Sequence, residues 1–247
     1  FSISRDNIHH TYGDAPAPFA VREVTDPADP AIDEILALTE QGRFIPVRDC
    51  ALYLDIANTW KARLLVLNDP AENNRFVGYC ICDGGALSEL RVVRNEDFMC
   101  LVRSVFACLD KGFTVYIPSY ETEQIKAISL IAEGIAIHPS MMYLILNYTA
   151  TIEAFMALKL TYTTLPDGEL TLLIHGHAGD ERIRIAVKEG KHTVERIHEE
   201  TPVDLELGHL EATELLFGCI SATRETASAL IRAWFPLPLW MYRADEV

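Results

Sequence analysis

The sequence has no uncharged apolar run that approaches the roughly 18 residues needed to cross a bilayer as a helix, so no membrane-spanning helix is expected. Positive charge is scarce: Lys and Arg number 21 against 36 Asp and Glu, a net charge of −15. Phosphate contacts need a basic face, so nucleic acid is excluded as an expected partner. An anionic membrane surface is a poor match for the same reason. The acidity favours solubility and, weakly, a cationic small substrate. No C-x-x-C pair occurs among Cys50, Cys80, Cys82, Cys100, Cys108 and Cys219. Cys80 and Cys82 share a face of a strand, and Cys100 and Cys108 lie on one side of a helix. The set reads as buried free thiols of a reducing, cytoplasmic compartment, not as a disulfide framework.

Several catalytic signatures are also missing. G-x-S-x-G is absent, so the common hydrolase elbow is excluded. G-x-x-x-x-G-K-[ST] and G-x-G-x-x-G are absent, so neither common phosphate-cradling loop is present. No signal-peptide pattern opens the chain, which begins at Phe1 and not at Met. Phe1-Ser2-Ile3-Ser4 alternates like a strand, and a piece of something longer is expected.

What is present is an ordinary globular composition of 247 residues, with 49% apolar and 23% charged. That length suits one large domain or two smaller ones. Strand-like alternation runs over Phe19–Val24. Helical stripes follow from Ile32 to about Gly42 and from Leu52 to Trp60. Three strands, Arg63–Leu67, Phe76–Cys82 and Leu87–Val93, are separated by short turns, and a meander is their natural connection. Asn95 is placed as an N-cap of a helix containing Phe98, Leu101, Val102, Val105, Phe106 and Leu109. Gly112 is expected at its left-handed C-cap. A strand over Phe113–Pro118, a helix over Thr122–Glu133 and two short strands, Ile135–His138 and Met141–Ile145, complete the first part. The second part reads as a helix over Thr149–Leu160, four strands (Leu170–Ile174, Arg182–Val187, His192–Ile197 and Val203–Leu207) and helices over Leu210–Phe217 and Thr223–Trp234. No internal repeat or low-complexity tract is visible.

Few residues suggest chemistry by themselves. His175 and His177 lie two apart on a strand. They lack an evident third metal ligand and read as a surface or interface pair. His9-His10 is a loop pair, and His138 before Pro139 is a turn residue. Asp180-Glu181 and Glu199-Glu200 read as solvated turns. The tail is unusual: Phe235-Pro236-Leu237-Pro238-Leu239-Trp240-Met241 is apolar and ends in Asp245-Glu246-Val247. An exposed apolar tail would be adhesive, so docking onto the protein is expected.

Asp167–Ile174, Val203–Leu210, Leu215-Leu216-Phe217-Gly218 and the Phe235-Pro236-Leu237-Pro238 tail together resemble a sterol-carrier-protein-like domain. In particular they are similar to the version that closes the enhanced-intracellular-survival-type acetyltransferases of the GNAT superfamily. Ile135–Tyr143 resembles the closing segment of the degenerate GNAT-like domain that precedes it there. Phe1–Ser4 resembles the last strand of the catalytic GNAT domain before that.

This resemblance implies an α+β chain. Residues 1–13 are a remnant of a preceding GNAT domain, 14–147 a degenerate GNAT-like mixed-sheet domain, and 148–247 a sterol-carrier-protein-like domain with a mostly antiparallel sheet. It implies an intact protein that transfers acetyl from acetyl-CoA to an amine, with polyamines, aminoglycosides or lysine side chains as candidates, and that is a homo-oligomer. GNAT enzymes hold the donor pyrophosphate with a [QR]-x-x-G-x-[GA] loop at a helix start. That loop is absent here, so this chain is expected to bind no cofactor or metal and to be inactive alone. By position, the Val247 terminal carboxylate would be the general base of the intact protein, and Glu246 would hold the substrate amine. Many relatives have His where Glu246 stands. A second expectation, from another class, is a lipid or other apolar ligand in a tunnel between strand Leu170–Ile174 and helix Thr223–Trp234. A third is a pure assembly module.

Overall fold

The computed structural model describes residues 1–13, 15–42, 48–59, 61–137, 144–198, 201–218 and 221–241. The chain forms two compact units: Phe1–Ala136 with the tail from Trp240 onward, and Ile137–Leu239. Both are α+β.

The first unit runs β1 (Ser2–Ile3), α1 (Arg5–Tyr12), β2 (Ala20–Glu23), α2 (Ala31–Glu40), α3 (Cys50–Thr59), β3 (Arg63–Asp69), β4 (Arg75–Asp83), β5 (Ala86–Val92), α4 (Phe98–Leu109), β6 (Phe113–Val115) and α5 (Thr122–Ser129). Its sheet has the order β1-β6-β5-β4-β3-β2. The expected β3-β4-β5 meander is antiparallel throughout, whereas β5 and β6 pair in parallel. Helices cover both faces, which explains the continuous apolar runs of the central strands. Leu65, Leu67, Cys80 and Cys82 face one core with α4, and Leu64, Val66, Tyr79 and Ile81 face another with α2 and α3.

Several local expectations are corrected. Helix α1 takes in His9-His10, which were expected in a loop. It buries one apolar residue, Ile8, so it carries no stripe, and its sequence signal is Ser4, whose Oγ accepts from the Asn7 N–H. Asn95 does not cap α4. It opens a 3-10 turn, and its Oδ1 accepts from Gln124 Nε2 at 3.1 Å. The left-handed residue that ends α4 is Asp110, at φ 50°. Gly112 is needed for a different reason: a Cβ there would stand 2.8 Å from the Ile3 carbonyl oxygen, where β6 meets β1. The helix expected to reach Glu133 ends at Ser129. Ile135 and Ile137 are exposed and form no strand; residues 138–143 lie outside the described ones.

The second unit runs α6 (Tyr148–Leu160), β7 (Gly168–Gly176), β8 (Gly179–Lys188), β9 (Lys191–Arg196), β10 (Leu205–Gly208), α7 (His209–Phe217), α8 (Ala222–Thr226) and α9 (Ala229–Trp234). Its sheet, β10-β7-β8-β9, is antiparallel except for the parallel pair β10/β7. Along β8, buried Ile183, Ile185 and Val187 alternate with Arg182, Arg184 and Ala186. The apolar face meets residues of α6, α7 and α9 in one core. The opposite face carries the Arg184 ion pairs to Glu169 (3.4 Å) and Glu195 (3.2 Å). The single helix expected over Thr223–Trp234 is two, because Ser228 breaks it and caps α9 through its Oγ.

Candidate functional site

A concavity of the first unit follows from its topology. Strands β5 and β6 pair only at Ala86/Thr114 and Leu87/Val115, then diverge. Crevices at the carboxyl ends of diverging parallel strands are where α/β sheets commonly hold ligands. Here the opening is a mainly polar cleft of about 340 Å³. Leu90, Arg91 and Val92 of β5 form one wall, and Pro118, Tyr120 and the start of α5 form the other. Gln41 and Gly42, after α2, close one end.

Behind the β5 wall lies a buried polar network. The Glu89 carboxylate accepts from Arg48 Nη1 at 2.6 Å and from the Tyr79 hydroxyl, with both charged side chains at most 1% exposed. Thr39 Oγ1 lies 2.7 Å from the Tyr53 hydroxyl and 3.2 Å from that of Tyr79, and donates to the Ile35 carbonyl. The Arg48 guanidinium also lies 5.1 Å from the centre of the Tyr53 ring. Desolvation pushes the Glu89 carboxyl up, and Arg48 and Tyr79 oppose that push. The Tyr79 hydroxyl is driven well above its ordinary value by burial and by the Glu89 charge. The network ties α2, β4, β5 and the segment before α3 together. Arg91 extends it towards the cleft, donating to the Thr39 carbonyl at 3.3 Å.

The turn from β5 into α4 borders the cleft at Val93 and Asn95. It reads Val93-Arg94-Asn95-Glu96-Asp97, with no glycine and with two acids at the helix start. Asp97 is the N-cap residue of α4 and makes no side-chain cap bond. It pairs instead with Arg75 at 3.0 Å, which also meets Glu72 and Asp69.

In the second unit, Lys159 is buried and its Nζ donates to the carbonyls of Ala233 (3.2 Å), Trp234 (2.8 Å) and Pro236 (3.0 Å). The lysine thus fixes the exit of α9, where the Phe235–Pro238 tail begins. Trp234 is fully buried and its Nε1 donates to the Pro166 carbonyl. The Leu237 N–H donates to the Leu216 carbonyl, so the start of the tail is docked. Burial, with a smaller push from Arg224, lowers Lys159 from 10.5 to about 8. Between those values the unfolded chain binds more protons than the folded one, so this group makes stability rise with pH from about 8 to 10.5. Denaturant unfolding at pH 7.5 and 10 should show that increment in the wild-type second unit, and Lys159→Met should lose it.

The histidine and carboxylate expectations fare differently. His175 bridges Asp180 (Nδ1, 3.0 Å) and Glu206 (Nε2, 2.9 Å) on the exposed face of the sheet. Hydrogen bonds to Glu206 and then Asp180 raise its pKa. His177 lies in the β7–β8 turn, its ring 4.2 Å from that of His209. No group of three or more His, Cys, Asp or Glu among the described residues is arranged for a metal ion. Glu181 is not a solvated turn residue. It is buried and caps α6, accepting from the N–H groups of Tyr148 and Thr149, which lower its pKa against desolvation. Glu199 and Glu200 lie outside the described residues. Of the cysteines, Cys80 and Cys82 are buried, but Cys108 is exposed because it sits on the outer side of the last turn of α4.

Leu170, Leu172, Ile174, Ile231 and Trp234, the residues expected around an apolar tunnel, are packed into the core at 3% exposure or less. An apolar cleft of this unit lies elsewhere, lined by Leu144–Asn147, Phe155 and Phe217. Glu246 and Val247, the residues expected to serve the chemistry, lie outside the described residues. Sequence reading missed the Glu89 network. Its one local signal was a pair of charges, Glu89 and Arg91, inside a mainly apolar strand.

No protein-family model matches the chain, and no curated protein does. Solved structures do. A probable N-acyltransferase from Enterococcus faecalis, a conserved protein of unknown function, matches with a TM-score of 0.54 at 15% identity, over 96% of this chain and 62% of its own. A GCN5-related N-acetyltransferase from Anabaena variabilis matches with a TM-score of 0.54 at 13% identity, over 98% and 64%. Another from Kribbella flavida gives 0.52 at 16%, over 96% and 61%. The chain therefore has the GNAT-type fold of these proteins and spans just under two thirds of their length. No helix among the described residues is long and apolar enough to cross a membrane.

Proposed function

We propose that this chain is the C-terminal, substrate-pocket and assembly portion of an acetyl-CoA-dependent N-acetyltransferase acting on amines. It would not be active by itself. The first unit would be a degenerate GNAT-like domain and the second a sterol-carrier-protein-like one. The observation that carries the reading is a contrast. Nearly the whole chain aligns with a solved GCN5-related N-acetyltransferase, yet the helix start beside the first unit's cleft has Glu96 and Asp97 in place of a glycine-rich anion cradle. Acetyl-CoA would be gripped by an upstream domain.

The docked tail supports the second half of the reading. Lys159 and Trp234 hold the α9 exit, so the residues beyond it start from a fixed point. In the intact protein the Val247 carboxylate would accept the amine proton, and Glu246 would hold the cationic substrate. The net charge of −15 suits such a substrate. The reading is tested by titrating this chain with acetyl-CoA in a calorimeter; no saturable heat is expected. Packing of Leu170, Leu172, Ile174, Ile231 and Trp234 into a closed core disfavours the lipid-tunnel alternative.

A further inference from the structure

The sheet register of the second unit brings a histidine between two carboxylates. His175 of β7 stands opposite Asp180 of β8. Glu206 of β10 aligns with Leu173, two residues before His175 and therefore on the same face. His175 Nδ1 lies 3.0 Å from Asp180 Oδ1, and its Nε2 lies 2.9 Å from Glu206 Oε1. Each ring nitrogen thus has its own carboxylate. A neutral imidazole carries one N–H and one lone pair, so it can donate to only one of them. The lone pair then faces a carboxylate oxygen and repels it. Only the imidazolium satisfies both contacts at once.

What this bridge holds is an edge. Strand β10 has four residues, lies at the end of the sheet and leads directly into α7. Its start is secured separately, because Asp204 Oδ2 accepts from the Thr171 N–H at 2.7 Å. The surrounding charged and titratable groups are otherwise engaged. Arg196 of β9 donates to the Asp180 carbonyl at 2.6 Å, and Arg182 of β8 donates to the Thr201 carbonyl. Glu211 of α7 accepts from the Gly208 N–H at 2.8 Å. Glu181 faces α6 from the other side of the sheet. His177 of the turn and His209 of α7 stand ring to ring at 4.2 Å. We propose that His175 is a pH-operated clasp of the second unit. As imidazolium it closes β10 onto the β7–β8 hairpin; as neutral imidazole it releases one carboxylate and loosens the end of β10 that enters α7. The paired carboxylates raise the His175 pKa, so the clasp is complete below the ordinary histidine value and opens as pH rises through the raised one. All three side chains are exposed, so opening loosens the strand end without unfolding the unit.

The experiment is a pH titration of this chain by NMR. It reads the His175 ring nitrogens and the amide exchange of Leu205–Gly208, the latter as protection factors corrected for the intrinsic pH dependence. Below the transition both ring nitrogens should be protonated. The midpoint should be higher than in Asp180→Asn/Glu206→Gln. Protection over Leu205–Gly208 should fall severalfold through that midpoint, while the Ile183 and Ile185 amides of β8 keep theirs. The fall should vanish in His175→Gln and persist in His177→Gln/His209→Gln. The substituted clasp residues are exposed, so these variants keep the fold. The proposal is overturned if the midpoint does not drop in the double carboxylate variant, or if protection in β10 does not follow the His175 titration. It is equally overturned if the fall survives in His175→Gln, or if it is lost with His177 and His209 instead.

Discussion

Glu89→Ala should destabilise the first unit by about 3–5 kcal/mol, the usual effect of breaking a buried ion pair from one side. The mutation leaves the Arg48 guanidinium, 1% exposed, without the carboxylate 2.6 Å away. It also removes the acceptor of the Tyr79 hydroxyl. At roughly 2–4 °C per kcal/mol for a unit of this size, the calorimetric transition of the first unit should fall by about 6–20 °C. Replacing both charges, as Arg48→Met with Glu89→Leu, should cost less than Glu89→Ala alone, because no charge is then stranded. A loss under about 1 kcal/mol for the single variant would mean that the pair is solvated and that the network does not hold β5 against α2.

In the intact protein, deleting Glu246 and Val247 should lower turnover by about 10²–10⁴-fold, the range that general-base catalysis supplies. Thermal stability should stay within error, because the docked start of the tail, Phe235 to Leu237, lies well before the deleted residues. The physical requirement is specific. An α-carboxyl ordinarily titrates at about 3.3–3.7, so it must be desolvated to accept a proton efficiently near neutral pH. Adding one glycine after Val247 keeps a carboxylate but moves it, and should be nearly as damaging as the deletion. Unchanged turnover in both variants would return the tail to a structural role.

Much of the fold was legible in the residues, for reasons that differ by element. Leu64–Leu67 and Phe76–Cys82 sit between two helix layers, so their apolar runs are unbroken and unmistakable. Strand β8 shows clean alternation because one face is packed and the other is wet. Helix α1 was not legible, since only Ile8 is buried and Ser4 is its only strong signal. Gly112 and Asp110 were confused because a glycine past a helix suggests a left-handed cap, whereas this one makes room for the Ile3 backbone.

The candidate sites were less visible still. The cleft exists because β5 and β6 part company after two residue pairs, a non-local event that no window of sequence contains. The Glu89 network joins residues from Thr39 to Glu89 in four separate segments. The absence of a [QR]-x-x-G-x-[GA] loop, by contrast, is a property of the sequence itself.

The most direct test of the central claim is isothermal titration of this chain with acetyl-CoA, run beside the full-length protein as the positive control. If the donor is gripped by an upstream domain, the full-length protein gives a stoichiometric isotherm and this chain gives only dilution heats. Stoichiometric micromolar binding by this chain alone would contradict the account.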